Sequence, residues 1–149
     1  MSNERVFQLD KRLQADTMLL AEWPLCDLLL MNDQQYPWCI LVPRVTGATE
    51  LFHLSRSQRQ QLDLESTFLS KMLMSVFEGE KLNVAALGNV VSQLHIHHVV
   101  RFSADISWPA PIWGRHPVRQ YSEDILQQRL DELSCLIKPD WADIAASQC

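Results

Sequence analysis

Gln93-Leu94-His95-Ile96-His97-His98-Val99-Val100-Arg101 places three of the chain's five histidines within four residues of an otherwise apolar run. The run reads as a β-strand. Side chains alternate along a strand, so Gln93, His95, His97, Val99 and Arg101 share one face, and Leu94, Ile96, His98 and Val100 share the other. Two imidazoles therefore project together from a rigid element. Imidazole titrates near neutral pH and serves as nucleophile, proton carrier or metal ligand, so a bound molecule is expected on that face. A zinc site built from His95, His97 and His98 fails on geometry, because alternation turns His98 away from the other two. His98 is instead expected in a core or interface, with one nitrogen satisfied. A metal-binding module using His95, His97 and a third residue elsewhere is left open, and elemental analysis of the protein would discriminate it.

Outward from the motif, the pattern is mixed α and β. Asn83 to Leu87 is a short extended run, Gly88-Asn89 a tight turn, and the motif strand should pair antiparallel with that run. Ser55 is an N-cap for a long helix over Ser57 to Glu78, with Leu62, Leu69, Met72, Leu73 and Val76 forming its buried stripe. Further upstream, Leu9 to Asp16 reads as a short helix, and Thr17 to Glu22 and Cys26 to Asn32 as extended runs broken at Trp23-Pro24. Asn32-Asp33-Gln34-Gln35 reads as a turn, and Cys39 to Pro43 as a strand closed by a proline. Downstream, Ser103 to Pro117 is loop-like, with Trp108 and Trp113 set among prolines. Ser122, Glu123 and Asp124 then open a C-terminal helix carrying Ile125, Leu126, Leu130, Leu133, Leu136 and Ile137, which Pro139 stops.

The 149 residues suit one core, which at this size buries about 70% of the unfolded surface. Hydrophobic residues make up 47% and charged residues 21%, which is ordinary globular composition. A net charge of −5 supplies no basic footprint for a nucleic-acid polymer, although a mononucleotide site needs only a few local donors. No apolar run approaches the ~20 residues of a membrane helix, and Met1-Ser2-Asn3-Glu4-Arg5 lacks a signal-peptide core, so a cytoplasmic protein is expected. Cys26, Cys39, Cys135 and Cys149 form no Cys-x-x-Cys pair and are expected as reduced, mostly buried thiols, with Cys149 exposed.

The motif resembles the histidine-triad proteins, whose signature is His-φ-His-φ-His-φ-φ with φ apolar. Aligning Gln93, His95 and His97 with the triad positions keeps Leu94 and Ile96 in φ slots. The alternative of His95, His97 and Val99 loses the third histidine and sets His98 between triad positions, so the first register is preferred. Other segments extend the resemblance over residues 17 to 114. Leu28-Leu29-Leu30-Met31-Asn32 looks like the strand that delivers a polar residue to the ribose. Tyr36-Pro37-Trp38-Cys39-Ile40-Leu41-Val42-Pro43-Arg44 looks like the apolar strand ending in Pro and a basic residue. Glu50-Leu51-Phe52-His53-Leu54-Ser55 resembles the lead into the long helix, and Trp108-Pro109-Ala110-Pro111-Ile112-Trp113-Gly114 a Trp-Pro tail.

The resemblance implies an α+β fold, an antiparallel sheet of about five strands with one long helix, to which this chain adds a C-terminal helix. Residues 1–114 are expected to form the nucleotide-binding domain, and 115–149 a helical extension packed on it, too short to own a core. By the same resemblance the protein is a nucleotide hydrolase or nucleotidyl transferase acting at the α-phosphate of an adenine or related nucleotide conjugate. His95 would attack phosphorus to form a nucleotidyl-histidine, and His97 would supply a proton or positive charge to the phosphate oxygens. Asn32 would bind ribose, while Asn89 and Arg101 would bind phosphate. Relatives usually pair as homodimers, and no cofactor is required.

Gln93 is the departure from the pattern. An amide can donate a hydrogen bond but cannot act as a general acid, so leaving-group chemistry should differ unless His97 or a more distant group covers the loss. A nucleotide-binding regulatory protein with little turnover is the alternative that Gln93 raises. The galactose-phosphate uridylyltransferase branch also replaces a triad histidine by glutamine, at another position, which keeps transfer open beside hydrolysis. His53 is read as structural and His116 as exposed.

Overall fold

The structure, a computed structural model, describes residues 6–147; Cys149 and the segment Met1–Arg5 lie outside them. Five strands form one antiparallel sheet: β1 (Thr17–Glu22), β2 (Cys26–Met31), β3 (Trp38–Pro43), β4 (Lys81–Ala85) and β5 (Ile96–Arg101), in the order β1-β2-β3-β5-β4. This is the expected α+β architecture. α1 (Lys11–Asp16) precedes the sheet, the long α2 (Arg56–Phe77) joins β3 to β4, and α3 (Glu123–Glu132) and α4 (Trp141–Ser147) follow β5. No helix among the described residues is long and apolar enough to cross a membrane.

Both faces of the sheet are covered, which is why β2 and β3 read as nearly unbroken apolar runs. One face packs on α2 through Leu62, Leu69 and Leu73, joined by Leu133 and Leu136 from the C-terminal region. The other carries Leu29, Trp38, Ile40, Val42 and Val99 under Leu13 of α1 and Ile112 of the Trp-Pro loop. α2 starts where the sequence places it: the Ser55 hydroxyl accepts from the Gln58 backbone, and the Gln58 side chain accepts from the Ser55 N–H. Its buried stripe includes a carboxylate, Glu65, and leaves Val76 37% exposed. Glu65 accepts from the Leu25 and Cys26 backbone N–H groups and from Gln61 Nε2, tying α2 to the start of β2. Burial nonetheless pushes the Glu65 carboxyl above its ordinary range.

Two stretches differ from the sequence reading. β4 lies two residues earlier than expected, and β5 begins at Ile96 rather than Gln93, so residues 86–95 form a long connection instead of a tight turn about Gly88-Asn89. The Leu94 N–H donates to Ala48 O in the loop after β3, and Gly88 adopts φ +75°, so the chain leaves the ladder there. The C-terminal helix stops at Glu132 instead of running to Ile137; Ser134–Leu136 form a 3-10 turn, and α4 follows Pro139. Core burial decides this, since Leu133 and Leu136 are inserted into the α2-side core and Trp23 Nε1 donates to Leu136 O. Trp141 of α4 then packs edge-on against Trp23, with ring centroids 4.9 Å apart. Cys26 and Cys39 are buried and Cys135 is exposed; burial pushes the Cys26 thiol up, and that of Cys39 to about 12.

Candidate functional site

His95, just before β5, and His97, within it, project on the face opposite α2, with ring centroids 4.9 Å apart in an edge-on arrangement. Each ring is anchored through Nδ1, by a different partner. His95 Nδ1 lies 2.7 Å from Gln93 O. A carbonyl only accepts, so His95 carries its proton on Nδ1 and keeps a lone pair on Nε2. His97 Nδ1 lies 3.0 Å from Trp38 Nε1. An indole only donates, so the neutral His97 ring carries its proton on Nε2. Burial, with the nearby rings of His95 and His98, pulls His97 down to about 3, so it is neutral at neutral pH. No hydrogen bond among the described residues occupies either Nε2. The pair thus offers one lone pair and one N–H side by side.

The register explains the Trp38 contact. Trp38 pairs with Val99 and Ile40 with His97 across the β3–β5 ladder, so Trp38 emerges on the site face and reaches His97 diagonally. Trp113 of the loop after β5 closes the group, its ring 5.4 Å from His97 and 6.5 Å from Trp38. Trp113 Nε1 is buried without a partner among the described residues.

The two histidines sit in a cleft of about 430 Å³. Arg12, Leu13 and Asp16 of α1, Met31, Trp38 and Ile40 of the sheet, the 87–91 connection, and Trp113, Gly114 and Val118 form its walls. The cleft is predominantly apolar with a few convergent polar groups, the usual character of a small-molecule site. Among the described residues no group of three or more His, Cys, Asp or Glu could hold a metal ion.

The other residues singled out in the sequence divide sharply. Asn89 lines the cleft beside the histidines. Gln93 does not offer its amide to it: Oε1 accepts from Asp10 N and Nε2 donates to Gln8 O, so the side chain fastens the N-terminal segment to the sheet. Asn32 lies outside the cleft lining, and its Oδ1 accepts from Tyr121 N, pinning the returning C-terminal chain. Arg101 is corrected most plainly. It is only 2% exposed and lies outside the cleft lining, and all three nitrogens of its guanidinium are engaged, by both oxygens of Asp105, by Asn83 Oδ1 and by Ala110 O, so the group is committed to these partners rather than offered to the cleft. Trp108 stacks over that guanidinium at 5.7 Å rather than over the site.

His98 faces α2, and both of its nitrogens are satisfied, Nδ1 donating to Ile96 O and Nε2 accepting from Ser66 Oγ. Burial pulls it down to about 4. His53 Nδ1 accepts from the Thr49 and Glu50 backbone, and His116 is exposed with Nε2 3.3 Å from Ile106 O. The sequence reading did not single out Trp38 as a site residue, nor Arg12 and Asp16. Trp38 needed the β3–β5 register. Arg12 and Asp16 carried no signal beyond lying one turn apart on a short helix.

Residues 12–104 match the HIT domain, and the chain belongs to that family. A histidine triad protein from Marinobacter aquaeolei is 50% identical and superposes with a TM-score of 0.87 over 89% of this chain and 97% of its own. One from Bradyrhizobium japonicum is 36% identical, also with a TM-score of 0.87, over 90% of this chain and 100% of its own. A Plasmodium falciparum diadenosine triphosphate hydrolase shares the fold at 16% identity, with a TM-score of 0.56 over 90% of this chain and 83% of its own. No curated protein matches the chain.

Proposed function

We propose that the protein cleaves or transfers at the α-phosphate of a nucleotide conjugate, through a covalent nucleotidyl-His95. The observation that carries this reading is the pair of complementary Nε2 atoms at the cleft floor. The His95 lone pair is free to attack phosphorus, while Gln93 O holds the opposite N–H and stabilises the cation that forms. The His97 Nε2–H is placed to donate to a non-bridging phosphate oxygen, where charge develops in the transition state. Leu13, Met31, Ile40 and Val118 provide apolar walls suited to a flat base, adenine or a related one, and Asn89 is a candidate phosphate donor. Family membership supports a nucleotide substrate in general terms. Incubation with a nucleotide conjugate followed by acid quench and intact mass measurement should reveal a nucleotidyl adduct that His95→Ala lacks. Binding without any adduct or released mononucleotide would establish instead the regulatory nucleotide binder, the reading that the engaged Gln93 favours.

The same proposal includes a homodimer. β4 is an edge strand whose Val84 is 50% exposed, on the same surface as the exposed Leu51 of the segment entering α2. An unpaired edge flanked by apolar side chains favours association over exposure.

A further inference from the structure

Expelling a leaving group from phosphorus makes different demands according to its basicity. A phosphate or carboxylate oxygen departs as a stable anion, whereas an amine nitrogen must receive a proton as it leaves. The cleft supplies a nucleophile and a hydrogen-bond donor; what it lacks is an acid.

Gln93, at the first triad position, has its amide occupied by Gln8 O and Asp10 N. His97 is the remaining candidate, and Trp38 Nε1 occupies its Nδ1 as a donor. Protonating His97 at Nδ1 would set two N–H groups against each other at 3.0 Å in a buried place. Burial, the His95 ring beside it and His98 across the strand already oppose its positive charge. From the elements packed against it, His97 meets Trp38 of β3, its ladder partner Ala85 of β4, and Trp113, none of which supplies a charge. The other charged residues on the cleft wall, Arg12 and Asp16, face each other at 3.8 Å as an ion pair on α1.

We propose that the protein selects nucleotide conjugates by their leaving atom, accepting a phosphate or carboxylate oxygen and rejecting an amine nitrogen, with Trp38 as the positioning residue that holds His97 in its Nε2–H form. The inference rests on the nucleotidyl-His95 reading. In the first step His95 Nε2 bonds to the α-phosphorus, and the bond from phosphorus to the leaving oxygen breaks. That oxygen keeps the electron pair and departs unprotonated, while His95 retains its Nδ1 proton on Gln93 O. In the second step a water oxygen bonds to phosphorus, the P–N bond breaks with its electrons returning to Nε2, and the water proton passes to solvent. Neither step needs a proton delivered by the protein.

The test uses the intact protein and conjugates of one nucleoside 5′-phosphate: a dinucleoside polyphosphate, an acyl-nucleotide anhydride and an alkyl phosphoramidate. The oxygen-linked conjugates should exceed the phosphoramidate in kcat/KM by at least about 10²-fold, the lower end of general-acid effects. A difference below tenfold overturns the selectivity. No nucleotidyl adduct with any of the three overturns the nucleotidyl-His95 reading itself, a distinguishable outcome. Independently of any variant, ¹⁵N spectra of the protein at neutral pH should show His97 protonated at Nε2 and bare at Nδ1, and the reverse tautomer overturns the role of Trp38. Trp38→Phe keeps a ring of similar shape and removes the N–H. It should narrow the discrimination by about tenfold and add an acidic limb to the phosphoramidate pH profile. A folded Trp38→Phe protein with unchanged selectivity and an unchanged His97 tautomer also overturns that role.

Discussion

His97 and His98 are neighbours on one strand, both buried and both neutral at neutral pH, yet they do opposite work. His98 faces α2 with both nitrogens spent, on Ile96 O and on the Ser66 hydroxyl. His97 faces the cleft with one nitrogen fixed by Trp38 and the other free. Residue type therefore says little about role here. What distinguishes a structural from a reactive imidazole is how many of its two nitrogens the fold leaves open. Arg101 extends the lesson: it lies on the site face and has an ideal phosphate-binding side chain, but the fold has engaged each of its nitrogens elsewhere.

The sharpest way to break the comparison is to exchange activity between the faces. His95→Ala should abolish turnover while leaving nucleotide affinity within about tenfold, or 1.4 kcal/mol, because only a bond made during reaction is lost. If turnover survives in His95→Ala and disappears in Ser66→Ala, the assignment of faces is reversed.

Arg101→Ala should leave Asp105 buried without its partner and cost about 3–5 kcal/mol in denaturant unfolding. Burial raises the Asp105 carboxyl, but the Arg101 guanidinium and the Phe102 and Ser107 N–H groups outweigh it and hold the group below its ordinary range. An Arg101 variant of unchanged stability with weakened nucleotide binding would return Arg101 to the site.

Acid should act on both faces. The folded-state values of His97 and His98, about 3 and about 4, lie below the ordinary 6.5, so the unfolded chain takes up protons that the folded chain refuses. Their contribution is fully present above about 6.5 and is lost as the pH falls towards about 4 for His98 and about 3 for His97, with a slope of about 1.4 kcal/mol per pH unit for each group. His98→Gln should remove roughly half of that slope in equilibrium unfolding, and an undiminished slope would place its origin elsewhere. The smallest effect belongs to Ser66→Ala, which leaves His98 Nε2 without its donor and should cost about 1–3 kcal/mol with kcat unchanged.

Much of the architecture was legible in local pattern. The alternation around His95 to Val100 separated the two faces correctly, although the ladder begins only at Ile96, because alternation survives in extended chain that has left the sheet. Ser55 announced α2 because capping is a contact between residues three apart. The C-terminal helix was read too long, since Leu133 and Leu136 fit a helical period while their burial beside Trp23 sets a tighter turn.

The sequence by itself determined the fold class, the two-faced strand and the pairing of His95 with His97, because these follow from a two-residue period and from neighbours along the chain. Tertiary structure alone decided which donors remain available. Trp38 meets His97 across 59 positions, Gln93 meets Asp10 across 83 and Asn32 meets Tyr121 across 89. A side chain's chemistry is written in its own residue type, but whether that chemistry is free or already satisfied depends on partners that only the folded chain brings within hydrogen-bonding distance.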